Sequence, residues 1–461
     1  MLYQPTSVKK MWDTWMFFHE HVFYLFYLVV ENTPGEGVCL ATSTDGVHWH
    51  EKGLILPKSE QAQWLGTGSI WKSLEWAKDG KFVLNFSEWY GSTHTEGQQV
   101  ICFAESTDLM TWQRMGSDYN FAPDPNFYKV NQGNDSRWDC IYSIPRPGGG
   151  RYGYWTANPL RFHPGFGFGE TLDGVHWRAL EPPAIEWGDR QPMELMEAGA
   201  IELIDGKYWM MVGTWSRYQG QYGMVTLVAD RPQGPFRPVS RNFFLLSSQL
   251  ATAYFARFFP HPHALLVNHH VIARAGECSF APLKQAFIDA ASSTLRLKYW
   301  PGNEAVKGKQ DELGYPVAAT KERTDVFRFP KTFDASRGAV IEGWLQFAAR
   351  HSITFLIDCA EEHISGIRID HSGVVEFGIF DFRDSKFEVE DRIDRQITIQ
   401  LHQMVHFRLL VRHTLLEFYL NDELVHCHNL PSFPIGTLGF HNDGSVLLSN
   451  VSKWDMTLND K

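Results

Sequence analysis

The chain has 461 residues, enough for two domains and a large buried core. Its net charge of −11 disfavours nucleic acid and anionic membrane as partners and leaves a neutral ligand unpenalised. Aromatic residues make up 14%, with 17 tryptophans; most serve packing between sheets, and the remainder can stack on the flat C–H face of a sugar ring.

Residues 1–15 hold no apolar run ahead of a small-residue cleavage site, so no signal peptide is expected. The apolar run 22–30 is too short to span a bilayer and predicts a buried strand. Cysteines 39, 102, 140, 278, 359 and 427 are scattered without paired spacing. That pattern predicts free thiols and a cytoplasmic location, with neither disulfides nor a cysteine zinc site. No cofactor motif stands out. Gly148–Gly150 follows Pro147 in a hairpin turn, and no helix comes after it to hold a phosphate. His261 with His263, and His269 with His270, are histidine pairs without an evident third metal ligand.

The chain then repeats itself. Ser43-Thr-Asp-Gly-Val-His-Trp49 returns as Ser106-Thr-Asp-Leu-Met-Thr-Trp112 and Thr171-Leu-Asp-Gly-Val-His-Trp177, with a weaker copy ending at Phe236. The spacings are 63, 65 and 59 residues. An apolar strand precedes each box, and another precedes that strand. Asp-Gly between β-rich runs signals a hairpin, so the box reads as a blade turn and not as a site for Asp45, Asp108 or Asp173. Four such units, and a fifth carried by 250–310, predict an all-β fold: a five-bladed propeller over 1–305. The polar stretch 306–335 reads as a linker or crossing segment. Short strands without helices over 336–461 predict a β-sandwich, whose surface could also pair the chain into a homo-oligomer.

Three carboxylates stand out by neighbourhood. Asp13 lies among Trp12, Trp15 and two methionines ahead of the first buried strand. Asp139 follows Arg137-Trp138 at the start of blade three, and Glu197 stands at the start of blade four. Inner strands of a propeller line its channel, so residues at equivalent strand starts converge at its mouth. A charge in apolar surroundings is costly unless it is used or paired, and a glycosidase needs two flanking carboxyls, one kept protonated. Glu194, three residues before Glu197, competes for the acid role, but on a strand the two would face opposite sides.

These segments resemble the family-32 glycoside hydrolases, the invertase and fructanase family. Met11-Trp-Asp13-Thr-Trp-Met resembles that family's W-M-N-D-P-N-G, and Arg137-Trp-Asp139 its R-D-P. Glu197-Ala-Gly-Ala-Ile-Glu followed by Asp205-Gly-Lys-Tyr-Trp resembles its E-C-P-D-L-F and D-G-K-W. Trp64–Ser69 resembles a W-S-G-S-like block, Tyr254-Phe-Ala-Arg257 a Y-A block, and Leu416–Asp422 a strand of the family's sandwich.

The resemblance implies a retaining, exo-acting β-fructofuranosidase-like enzyme on small oligosaccharides, without cofactor or metal. Asp13 would be the nucleophile, Glu197 the acid/base, and Asp139 the partner of sugar hydroxyls. Trp12, Trp64, Ser69, Arg137, Trp138 and Tyr254 would line the sugar site. Departures are plain: Trp12, Thr14 and Trp15 replace Asn, Pro and Asn, Trp138 takes the place of the family's arginine, and Ala198-Gly199 replaces Cys-Pro. A related arabinofuranosidase- or xylosidase-like enzyme, with inversion, stays open, as does a sugar-binding propeller without catalysis. Retention requires carboxyls roughly 5–5.5 Å apart, against roughly 6.5–9.5 Å for inversion.

Overall fold

In a computed structural model the chain is described throughout except at residues 32–33, 92–95, 133–135, 189–194, 217–220, 240–244, 248–251, 315, 319–324, 358–362, 394–398, 432–434, 443–445 and 459–461. It forms the expected five-bladed propeller followed by a sandwich. Blades I to IV are antiparallel four-stranded sheets whose inner strands are Lys10–His19, Trp64–Lys72, Trp138–Pro145 and Leu195–Ile204. Blade V begins with Ala253–His261 and Ala264–Ile272. The inner strands neighbour one another around the ring, the first against the fifth, which closes it.

The repeated box is the turn that ends the third strand of blades I, II and III. Asp45 Oδ1 accepts the N–H groups of Val47 and His48, while Ser43 Oγ accepts that of Gly46. Asp108 and Asp173 repeat this arrangement. Trp49, Trp112 and Trp177 turn inward between neighbouring sheets, as Trp177 does edge-on to Trp71.

The sandwich joins blade V without a break. Strand Thr294–Tyr299 of blade V pairs with Glu423–Asn429 of the sandwich through Lys298 and Glu423, and one sheet of eleven strands results. The second sandwich sheet has seven strands, with Phe355, Phe377, Phe407 and Phe418 in the core between the two. The stretch 306–335, read from its polarity as a linker, supplies strands to both sheets. Lys307–Glu312 pairs with Val446–Met456, and Val326–Asp334 with Ile435–Asn442. Lys307–Glu312 is the last strand of its sheet, and an edge strand tolerates charge because one edge meets water.

Each of the five inner strands bulges at the same level. Against its partner, the inner strand carries one extra residue at Trp12–Thr14, Leu65–Gly68, Asp139–Tyr142, Ala198–Ala200 and Tyr254–Arg257. Asp13, Cys140 and Phe255 take left-handed backbone there, with φ of 33°, 37° and 54°. An extra residue breaks the alternation of a strand and re-aims its side chains. The three candidate carboxylates lie within two residues of these bulges.

Candidate active site

Asp13, Asp139 and Glu197 meet where the bulges lie. Asp13 Oδ2 accepts the Thr67 hydroxyl at 2.5 Å. Arg137 lies between the other two: one guanidinium nitrogen stands 2.9 Å from Glu197 Oε1 and 3.2 Å from Asp139 Oδ2. Tyr254 donates its hydroxyl to Glu197 Oε2 at 2.5 Å, and Ser87 donates to Asp139 Oδ1. Gln99 orders this shell, since its amide nitrogen donates to Ser87 Oγ and its amide oxygen accepts the Trp138 N–H.

Two glycines make the close approaches possible. A Cβ on Gly66 would stand 2.3 Å from Ser87 Oγ and 2.8 Å from Asp139 Oδ1. A Cβ on Gly213, which pairs with Glu197 across the ladder, would stand 2.1 Å from the Tyr254 hydroxyl.

Asp13 is the electrostatic outlier. Burial pushes its carboxyl up to about 7; the Thr67 bond opposes the rise, the charges of Glu197 and Asp139 add to it, and Arg257 tempers it. That Glu197 and Asp139 act on it marks the three carboxyls as one electrostatic unit. His270 is wholly buried, with its Nδ1 4.0 Å from Asp13 Oδ1. Burial, then the charge of Lys10, lowers it to about 3, so the ring beside Asp13 is neutral.

Below the carboxylates, the channel is tied shut by polar bonds between blades. Arg257, only 1% exposed, donates from blade V to the Gly68 carbonyl of blade II and to Cys140 Sγ of blade III. Asn85 bridges Ser69 and Ile141, and Asn268 reaches the Thr14 carbonyl.

Not every residue expected at the sugar site is there. Trp138 is sealed in the core against Phe121, Tyr128 and Trp155, its indole N–H donated to the Phe121 carbonyl. Strand alternation is the reason: Arg137 and Asp139 share one face, and Trp138 must take the other. Ser69 is spent on the Ile141 carbonyl and Asn85, which makes it a tie between blades. Arg137, Tyr254 and Trp64 are at the site; Trp64 stacks on Trp89 at 5.9 Å and, like the Asp139 carboxyl, borders the space over Gly66. Trp12 lies half-buried, its ring 5.1 Å from that of His270. Glu194 and Cys359 fall outside the described residues; the other five cysteines are buried and in no disulfide.

Thr67, Ser87, Gln99, Arg257 and His270 were not singled out as site residues from the sequence. Thr67 and Arg257 sit inside the two short blocks already matched, which was the available signal. Among the described residues no helix is long and apolar enough to cross a membrane.

No protein-family model and no curated protein matches the chain. Solved structures do. A sucrose-6-phosphate hydrolase from Lactobacillus gasseri is 12% identical with a TM-score of 0.72, over 97% of this chain and 91% of that one. A family-32 β-fructofuranosidase from Bombyx mori is 13% identical at 0.73, over 99% and 93%. Fructan 1-exohydrolase IIa from Cichorium intybus is 12% identical at 0.68, over 100% and 98%. The chain thus has the family-32 glycoside hydrolase fold over nearly its whole length.

Proposed function

We propose that this chain is a glycoside hydrolase, a retaining exo-acting β-fructofuranosidase-like enzyme that works in the cytoplasm on small oligosaccharides. The observation that carries the reading is the convergence of Asp13, Asp139 and Glu197 from three blades, with Arg137 held between two of them. Structural cores rarely gather three carboxylates in one buried place with an arginine between two of them, because desolvation of the charges is costly unless they are used. The neighbours named as sucrose-6-phosphate hydrolase and fructan exohydrolase share the whole architecture, which supports the sugar class.

In this reading Asp13 attacks the anomeric carbon and expels the leaving alkoxide, which takes its proton from Glu197. The glycosyl–Asp13 ester is then hydrolysed by a water that Glu197 deprotonates. Asp139 accepts hydrogen bonds from ring hydroxyls that strengthen as the oxocarbenium-like charge grows. Arg137 keeps the Asp139 and Glu197 carboxyls at fixed separation, and Tyr254 fixes the rotamer of Glu197. Trp12 and Trp64 offer rings to the sugar faces.

A panel of sucrose, inulin, levan and aryl glycosides, with the released sugar identified, tests the substrate class. Proton NMR of the first turnover tests the stereochemistry. The anomer of the substrate should appear first and mutarotate later; first release of the inverted anomer would assign the chain to the inverting alternative.

Gly213→Ala should copy Tyr254→Phe. Both take the tyrosine hydroxyl away from Glu197, a bond to a charged group worth about 1.5–3 kcal/mol. Each should lower kcat by roughly tenfold or more, and the double variant should lose little beyond either single. Wild-type kcat in Gly213→Ala would show that the hydroxyl does not position Glu197.

A further inference from the structure

The sandwich holds a second group of ligating side chains, far in sequence from the carboxylates. His426 and His428 lie two residues apart on Glu423–Asn429, so both face the inside of the sandwich, while Cys427 between them faces blade V. Asp391 reaches them from Lys386–Ile393 of the opposite sheet. The histidines are 2% and 3% exposed. One ring nitrogen from each and a carboxylate oxygen of Asp391 lie within 4.8 Å of one another, and His426 Nε2 stands 2.9 Å from Asp391 Oδ2.

The rest of this face is apolar. Phe377 stacks on His428 at 4.5 Å and 21°, and Val375 and Val425 belong to the same core. Two imidazoles in such a place are an expense that packing does not explain. His428 Nδ1 is buried with no hydrogen-bond partner.

We propose that Asp391, His426 and His428 bind a divalent transition metal, zinc foremost, as three protein ligands with a fourth position open to water or solute. Two nitrogens and one carboxylate oxygen form a donor set that suits zinc, copper or cobalt and not calcium or magnesium. The ligands come from both sheets, so the metal would clamp the sandwich shut. It would take no part in chemistry at Asp13. Arg274 brings a positive charge to the end of the same strand. Its guanidinium is engaged with the carbonyls of Leu430 and Asn429, and its charge moderates the affinity.

The test uses the full chain without an affinity tag, stripped with a chelator and titrated with zinc against a chromophoric competitor. Cobalt is titrated separately and followed by its visible absorption. One zinc per chain is expected, with cobalt bands of the intensity of a four-coordinate site and a higher Tm in the presence of zinc. His428→Ala and Asp391→Asn should weaken binding by at least about tenfold. His263→Ala, at the exposed surface pair, should leave it unchanged. A wild-type chain that binds no zinc overturns the proposal, and so does binding that is lost in His263→Ala and kept in His428→Ala. If His428→Ala does not fold, the wild-type stoichiometry and cobalt spectrum decide alone.

Discussion

Asp13→Asn and Glu197→Gln should each lower turnover by about four orders of magnitude on whichever glycoside the panel identifies, with melting behaviour that stays cooperative. The expectation rests on what each substitution leaves behind. Asn at 13 keeps the shape and the bond from Thr67 but cannot form a glycosyl ester. Gln at 197 keeps the contact with Tyr254 but has no proton to give and cannot deprotonate water. Groups acting in one sequence of steps do not add, so the double variant should be little worse than either single. Rates within tenfold of wild type for either variant would remove the assignment.

In the proposed mechanism, acidity should limit turnover at a higher pH than is usual for a carboxylate nucleophile. Asp13 must be ionised to attack, and burial holds its carboxyl near 7. The log of kcat/KM should therefore rise with unit slope below about pH 7, because that parameter reports the free enzyme. The same shift acts on stability, and its sign is the reverse of an ordinary ion pair. Between about pH 4 and pH 7 the folded chain binds a proton at Asp13 that the unfolded chain has released. Stability thus falls as pH rises through that window and stays reduced above it, by a few kcal/mol. Asp13→Asn removes this liability. Its Tm should match wild type near pH 4 and exceed it by several degrees at pH 8. An equal Tm difference at both pH values, or an acid limb near pH 4, would show that Asp13 has an ordinary carboxyl.

The architecture was readable because it is periodic. The Ser-Thr-Asp-Gly box marks the ends of the first blades through a turn whose hydrogen bonds need those residue types, and its spacing leaves room for a fifth blade that lacks the box. Asp13, Asp139 and Glu197 were readable because each breaks an apolar neighbourhood. Trp138 was misplaced by matching letters one for one to a family motif; alternation along the strand assigns Arg137 and not Trp138 to the carboxylates. Ser69 shows a different failure, since a hydroxyl in a matched block carries no mark of whether sugar or backbone will use it. Ser87, Gln99 and His270 come from second and third strands, where polar residues in apolar runs look like solvent-facing positions. Only the closure of the ring brings them inward. Arg257 had to await three blades in space, because its partners lie 189 and 117 residues away.

The bulge repeated in every inner strand separates the geometry of the site from its chemistry. Five strands present five similar rim positions, and this chain fills three with carboxylates and the other two with Thr67 and Tyr254. The backbone that aims a reactive group therefore belongs to the repeat and precedes any particular catalytic residue. A propeller built this way can change its reaction by exchanging single side chains around the rim while the blades stay as they are. Drift in the flanking residues, such as that around Asp13, would then alter substrate preference long before it erased the fold.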